Sequence, residues 1–294
     1  MKILMPTPFV RYKVAAFLIV LIAGATTLSL CLPWEYWLHE VDRHWFKERV
    51  MDSLARWNGI EDWANAEPLT RHQDYSWVSR RRPVLIAHAL GEAGTPGANT
   101  LPALERSYRA GMRLFEVDLW AQGAVLRCHH GPDTPPPLKF GGCRFETLLS
   151  ALPADSWLVL DIKTDFASTG ELVASILRRQ GGAERVIFQL YAPEHLRLFN
   201  RWQVELPLPG PIVTSYLAHR RMDHVAQHTA RVGVAVLTLP IERVIALTQL
   251  PEHLQFFVHP IHSCASLAEA LQEKASGVYT LNSLRCSLIA VPAL

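Results

Sequence analysis

The sequence predicts an α/β fold: a (β/α)8 TIM barrel over residues 81–294, preceded by an N-terminal transmembrane helix and a short helical linker. From Pro83 onward, short and almost continuously apolar segments alternate with amphipathic ones, a pattern typical of parallel strands covered by helices. A chain of 294 residues is long enough for one such barrel. An open doubly wound sheet is the alternative, but the glycines of "HALGEAGTPG" lack the GxGxxG spacing of a phosphate-binding turn.

The strands are predicted from these apolar segments, and helices are expected between most of them. In chain order, the predicted strands are 84–90, 113–120, 125–129, 157–163, 185–191, 211–217, 234–240, 255–261 and 277–281. Helical spacing is clear in segments such as "TLPALERSYRAG" and "GELVASILRRQ". A buried strand does not tolerate unpaired charges. The charged residues that do occur at the ends of these strands are therefore candidates for function.

The N-terminus contains an uncharged apolar run at residues 14–32, which is long enough to cross a bilayer as a helix. Lys2, Arg11 and Lys13 precede this run, and acidic residues follow it. The positive-inside rule then predicts that residues 1–13 are cytoplasmic and that the remainder of the chain is translocated. We expect a single-pass membrane protein whose folded domain lies on the extracytoplasmic, periplasmic side.

Two further features belong to this expectation. Residues 33–80 are rich in tryptophan and helical in spacing, which predicts a juxtamembrane helical linker. A cleaved signal peptide is the alternative to an uncleaved anchor, although only the weak "AGA" at residues 23–25 resembles a cleavage site.

The formal net charge of +2 gives no general attraction for nucleic acid, so we expect none as a partner.

Two of the five cysteines bracket a loop rich in proline and glycine, "CHHGPDTPPPLKFGGC". In a translocated domain, a disulfide between Cys128 and Cys143 would close this loop and stabilise the fold by roughly 3 kcal/mol. The alternative is a pair of reduced, partly buried thiols, and the sequence leaves both open. A zinc site is not expected, because no CxxC pairing occurs.

Charged residues cluster where the first strands of the predicted barrel end. His88 ends the first strand, Glu116 and Asp118 share one face of the second, and Asp161 and Lys163 share one face of a later strand. The carboxyl ends of barrel strands meet at one mouth, so we expect these side chains to converge there. Carboxylate oxygens are the ligands of hard divalent cations. The pattern predicts a site for Ca²⁺ or Mg²⁺.

Imidazoles at the same mouth would supply acid–base chemistry. His129 ends the predicted strand 125–129, on the element after Asp118, and His130 follows it. Histidine changes protonation state near neutral pH, so a pair of imidazoles beside a cation can move protons to and from a substrate.

In order and spacing, these residues resemble the glycerophosphodiester phosphodiesterases, phospholipase-C-like phosphodiesterases built on a TIM barrel. The resemblance covers most of residues 84–282. The motifs that carry it are His88, Asn99-Thr100, Glu116-Val117-Asp118, the Gly123–His129 segment, Asp161-Ile162-Lys163 and Tyr279-Thr280-Leu281.

The resemblance implies a phosphoric diester hydrolase that acts on glycerophosphodiesters or related phospholipid headgroups with a divalent ion. Its expected partners are a small-molecule or lipid phosphodiester and the membrane, and the oligomeric state stays open. "FVHPIHS" also matches a His-Pro-Ile pattern of similar family members, which implies a substrate contact for its first histidine. The implied roles are metal ligands at Glu116, Asp118 and Asp161, general acid and base at His88 and His129, and substrate contacts at Asn99, Lys163 and His259.

The chain departs from the family pattern at four places. His88-Ala89-Leu90 stands where the family has His-Arg-Gly, and Gly97-Ala98 replaces Pro-Glu. His130 follows the second histidine where the family has aspartate, and Asp161 replaces a glutamate. A catalytically degenerate barrel that binds phosphorylated ligands or an assembly partner is therefore one alternative. A metal-independent phospholipase-C-type lyase is another, against which the three acidic residues speak.

Overall fold

The described part of the chain is built around a closed barrel of parallel strands. The computed structural model describes residues 63, 66–71, 73–79, 83–131, 142–215, 222–244, 251–273 and 275–281. The strands are β1 (Val84–Ala87), β2 (Leu114–Gln122), β3 (Val125–Cys128), β4 (Trp157–Ile162), β5 (Val186–Leu190), β6 (Ile212–Thr214), β7 (Val236–Leu239), β8 (Gln255–Val258) and β9 (Gly277–Thr280).

The strand order is β1-β9-β8-β7-β6-β5-β4-β2-β3, and an additional pairing of β1 with β2 closes the ring. Every neighbouring pair is parallel except β2 and β3. The predicted (β/α)8 barrel is therefore confirmed.

Two differences from the sequence-based prediction affect the mouth of the barrel. The segment 125–129 does not add a strand to the ring: β3 forms an antiparallel hairpin with the end of β2, around a turn at Gly123 with φ 61°. The first strand ends at Ala87 instead of residue 90, because residues His88–Gly91 form a short 3-10 turn. Both differences bring irregular backbone to the mouth of the barrel.

Among the described residues, most helices cover the outside of the barrel, and the first helix contributes side chains to its interior. The helices are α1 (Ser76–Ser79), α2 (Leu101–Arg109), α3 (Phe145–Ala151), α4 (Phe166–Gln180), α5 (Pro193–Gln203), α6 (Met222–Arg231), α7 (Ile241–Val244) and α8 (Cys264–Gln272). Side-chain caps fix several starts: Thr100 accepts from the amide of Ala103, and Asp165 accepts from that of Ser168.

The barrel interior is an apolar cluster to which every strand of the ring contributes. It is joined by Trp77 and Val78 of α1, which precedes β1. The members from the strands are Val84, Ile86, Leu114, Val159, Ile187, Ile212, Val236, Phe257 and Tyr279. This close-packed apolar layer lies below the polar residues at the carboxyl ends of the strands and excludes water from that side of them.

The predicted membrane anchor at residues 14–32, the segment 1–13 and most of the linker 33–80 lie outside the described residues. In the part of the chain that the structure describes, no helix combines the length and the apolar character that crossing a membrane requires.

A disulfide joins Cys128, at the end of β3, to Cys143, just before α3, with Cα atoms 5.2 Å apart. The amide of Cys128 also donates to the carbonyl of Cys143 at 2.8 Å. Of the two states that the sequence left open, the structure has the disulfide. Cys264, at the start of α8, is likewise disulfide-bonded.

Replacing both Cys128 and Cys143 by serine is expected to lower the free energy of unfolding by about 3 kcal/mol, because the unfolded chain loses a cross-link that closes a loop of about this length. Urea denaturation of the wild type and the double variant, both without reductant, measures the difference. Ser150→Ala on α3 is a matched surface control that leaves the cross-link in place. Equal stabilities of wild type and double variant would show that the bond contributes nothing.

Candidate active site

Three carboxylates converge at the mouth of the barrel. Glu116, Asp118 and Asp161 are buried, and one oxygen from each lies within 4.8 Å of the others. The register explains this: Asp118 on β2 pairs directly with Asp161 on β4, and Glu116 is two residues earlier on the same face. The structure therefore brings together the three carboxylates that the sequence singles out.

Burial and mutual repulsion act on these acids together. Burial raises the pKa of Glu116 well above its ordinary value, and the charges of Asp118 and Asp161 raise it further. Burial also raises the pKa of Asp161, against the opposing charge of Lys163. Glu116 Oε1 and Asp161 Oδ1 are buried and have no hydrogen-bond partner among the described residues. Unpaired buried oxygens of this kind are suited to a cation.

Lys163 is the positive group of the cluster. Its Nζ lies 2.6 Å from Asp161 Oδ2 and 3.1 Å from Asp118 Oδ1. Burial would lower the pKa of Lys163, but the neighbouring carboxylates more than offset this and raise the pKa. One ammonium against three carboxylates leaves the cluster acidic if all ionise. The group could therefore hold a metal ion, and its all-oxygen ligands are those of a hard divalent cation.

Asn99 holds Asp118 in place. Its Nδ2 donates to Asp118 Oδ2 at 2.8 Å, and its Oδ1 accepts from the Asp118 amide at 3.0 Å. Both residues are buried. Asn99 is thus a partner of a candidate metal ligand, and its expected contact with substrate stays a prediction.

The turn after β1 supports the cluster from the other side. The Ala89 amide donates to Glu116 Oε2 at 2.7 Å, while the Ala89 carbonyl accepts from the Asn99 amide at 3.0 Å. Ala89, Leu90 and Asn99 all have positive φ, at 48°, 62° and 59°. Left-handed backbone at such residues costs about 1–2 kcal/mol each, and strain of this kind is concentrated at functional sites. The Ala89 side chain is a buried methyl group, and therefore this position adds no charge to the mouth.

Two imidazoles meet beside the acids. His88 Nε2 and His259 Nε2 are 3.0 Å apart, and the ring centroids are 4.3 Å apart. Burial lowers the pKa of His88 to about 4. Burial, with the charges of His88 and Lys163, lowers the pKa of His259 to about 2. Both rings are therefore neutral at pH 7.

His129 follows the β2–β3 hairpin. Its amide donates to the Asp118 carbonyl at 2.9 Å, which places its backbone beside the cluster. Its ring is oriented by the Gly131 amide, which donates to Nδ1 at 3.0 Å. Nδ1 is therefore an acceptor in this arrangement. The adjacent His130 is exposed.

Tyr191 is a site residue that the sequence reasoning missed. Its hydroxyl bonds to the Asp161 carboxylate. Behind it, Tyr279 donates to Gln189 Oε1 at 2.9 Å, and Gln189 Nε2 donates to the Tyr191 hydroxyl. Alternation along β5 was the available signal, since Ile187 lies in the barrel interior and residues 189 and 191 continue its face.

The mouth of a (β/α)8 barrel with convergent carboxylates and imidazoles defines a class of candidate enzyme site. No family model matches the sequence, and no curated protein matches it. Solved structures do resemble the fold.

A glycerophosphodiester phosphodiesterase from Parabacteroides distasonis gives a TM-score of 0.55 at 15% identity, over 68% of this chain and 93% of that one. A phosphodiesterase from Oleispira antarctica, solved with the product sn-glycerol-3-phosphate, gives 0.54 at 13% identity, over 70% and 94%. A glycerophosphodiester phosphodiesterase from Thermotoga maritima gives 0.53 at 13% identity, over 68% and 95%. The resemblance stated from the motifs is thus confirmed at the level of the fold.

Replacing Asn99 by alanine is expected to lower the free energy of unfolding by about 2–4 kcal/mol. The change leaves the buried Asp118 amide unpaired and puts alanine in left-handed backbone. It should also shrink any rise in melting temperature that Ca²⁺ or Mg²⁺ produces, because Asp118 is no longer fixed. Urea denaturation and thermal melts with and without each ion measure both effects.

Asn200→Ala is the matched control for this variant. Asn200 is equally buried, and its side chain bonds to the Thr70 amide and the Pro68 carbonyl, away from the carboxylates. It should cost stability but keep the full ion-dependent shift. If the two variants lost the shift equally, Asn99 would have no particular link to the acidic cluster.

Proposed function

We propose that this protein is a metal-dependent phosphodiesterase that hydrolyses glycerophosphodiesters or related phospholipid headgroups. The observation that carries the proposal is the acidic cluster: three buried carboxylates within 4.8 Å, at the mouth of a barrel with the glycerophosphodiester phosphodiesterase fold. Two of the carboxylate oxygens are buried without a partner among the described residues. Such a cluster is stable only when protonated or when a cation neutralises it.

The proposed substrate class agrees with the charge of the site. A phosphodiester carries one negative charge, and Lys163, at the edge of the cluster, is the basic side chain that contacts the acids. The Oleispira antarctica structure, which contains sn-glycerol-3-phosphate as product, supports a small phosphodiester of this type.

The roles of the side chains follow from their positions. Glu116, Asp118 and Asp161 would hold a divalent ion, Ca²⁺ or Mg²⁺, which polarises a phosphoryl oxygen when bound. Lys163 orients the carboxylates and adds positive charge near the phosphate. The neutral ring of His88 would take the proton of the attacking water or hydroxyl, and His129, as an imidazolium, would give a proton to the leaving oxygen and become neutral.

A second candidate function is a degenerate barrel that binds phosphorylated ligands without turnover. The buried methyl group of Ala89, at the position of the family arginine, favours it. The intact carboxylate cluster and the neutral imidazole of His88 favour an enzyme. The same carboxylates disfavour a metal-independent lyase.

We also propose that the domain is held outside the cytoplasm by an uncleaved single-pass anchor at residues 14–32. The apolar run and the basic residues before it support this topology. The disulfide between Cys128 and Cys143, together with that of Cys264, supports an oxidising compartment. A membrane anchor would keep the mouth close to lipid-derived substrates.

The detergent-solubilised full chain is expected to hydrolyse glycerophosphocholine or bis(p-nitrophenyl) phosphate with Ca²⁺ or Mg²⁺ and to lose this activity with a chelator. Asp161→Asn should bind the ion weakly, since it removes one ligand charge. His88→Ala and His129→Ala should each lower kcat at least about 100-fold, because each removes a proton-transfer group. Release of glycerol-3-phosphate or nitrophenol is the measurement.

His253→Ala is the control, since His253 precedes β8 at the opposite end of the barrel and contacts the Ala230 carbonyl. It should remain fully active. Activity that survives chelation would favour the lyase, and binding without turnover under every condition would favour the degenerate barrel. Full activity of both His88→Ala and His129→Ala would disprove their assignment as acid and base.

A fusion of alkaline phosphatase to the carboxyl end of the full chain is expected to be active in bacterial cells, because this reporter folds only outside the cytoplasm. Deleting residues 14–32 should abolish reporter activity at equal expression. A fusion after residue 13 serves as the cytoplasmic control. An active reporter in the deletion variant, or an inactive one on the full chain, would contradict the proposed topology.

A further inference from the structure

We propose that His259 is a positioning residue that fixes the ring of His88 through Nε2 and leaves Nδ1 of His88 as the basic nitrogen of the site. The catalytic meaning of this inference rests on the proposed function, whereas the arrangement of protons on the two rings does not. His259 then acts through His88 and not by contact with the substrate.

The contact itself restricts the protons. The two Nε2 atoms are 3.0 Å apart, a hydrogen-bond distance. A neutral imidazole has one N–H and one lone pair, so one Nε2 donates and the other accepts. Two arrangements are possible, and they differ in which nitrogen of His88 keeps a lone pair.

The backbone of His259 selects between the two arrangements. A hydrogen bond to its own backbone acts to raise the pKa of His259, which is the effect of a carbonyl that accepts from a ring N–H. Because Nε2 faces His88, this bond comes from Nδ1, and Nδ1 carries the proton. Nε2 of His259 is then the acceptor, so Nε2 of His88 is the donor. His88 Nδ1 is left with a lone pair, and it is buried with no hydrogen-bond partner among the residues described.

The ring of His259 is held on other sides as well. Its amide donates to the Leu239 carbonyl at 3.0 Å, at the end of β7. Its ring packs against that of Tyr279, with centroids 4.8 Å apart and planes at 84°. Tyr279 is itself buried and bonded to Gln189. His259 is therefore a fixed acceptor, and the orientation of His88 follows from it.

This arrangement prepares His88 to act as a base. When Nδ1 takes the proton of the attacking hydroxyl or water, the ring becomes an imidazolium with a proton on each nitrogen. The Nε2–H bond to neutral His259 becomes charge-assisted and strengthens. His259 keeps its own proton throughout, and His88 returns the acquired proton to solvent after the product leaves.

Three variants of the full chain test the inference. His259→Phe keeps an aromatic ring but no acceptor, and it should lower kcat about 100-fold, at the lower end of the contribution of a general base, with little change in KM. His259→Gln restores an acceptor near the position of Nε2 and should recover most of the loss. His262→Phe, at an exposed histidine on the same segment, is the matched control and should leave kcat unchanged. Metal-dependent shifts in melting temperature should be equal in all three.

Nitrogen-15 NMR of histidine-labelled protein tests the same inference without any activity. Wild-type His88 should show a protonated Nε2 and an unprotonated Nδ1, and His259→Phe should populate both tautomers. A proton on Nδ1 of His88 in the wild type would overturn the proposal. So would a rise in KM with kcat kept in His259→Phe, or a His259→Gln variant no better than His259→Phe. Wild-type protein with the expected tautomer but no hydrolysis would disprove the proposed function and support the pairing of the two rings.

Discussion

The pairing of Asp118 with Asp161 across two parallel strands is the constraint on which the site depends. Parallel register brings the two carboxylates to the same height on the barrel wall, and Glu116 lies one inward position below them. Burying three acids together costs free energy unless their charge is compensated. Lys163 compensates part of it through contacts to both aspartates. The remaining demand for positive charge is what makes the mouth a candidate metal centre.

The rest of the mouth keeps these acids in fixed positions. Asn99 binds both the side chain and the amide of Asp118, and the turn at Ala89 supplies an amide to Glu116. Ala89 and Asn99 have positive φ angles, so the backbone departs from regular geometry where these contacts are made. Tyr191 and the residues behind it hold Asp161 from the opposite wall. The acids are thus preorganised, and a bound ion would not have to assemble them.

Much of this arrangement could be predicted from local sequence. Apolar strands specify a parallel barrel, and alternation along β2 and β4 places the acids on one face, so the cluster followed from residue spacing. Contacts between distant segments could not be derived in this way. The approach of His259 to His88 depends on how β8 and β1 lie on either side of β9. The segment of β3 is predicted as a strand of the barrel because an antiparallel hairpin has the same apolar composition as a buried strand.

The β2–β3 hairpin has a consequence for when the site becomes competent. It carries Asp118 on one arm and ends at Cys128, next to His129, so the cross-link to Cys143 restrains the same peptide that presents the imidazole. On the proposed topology, this cross-link forms only after secretion. Newly made chains in the reducing cytosol would then lack the cross-link, and the peptide of His129 would be restrained only after oxidation outside the cytoplasm.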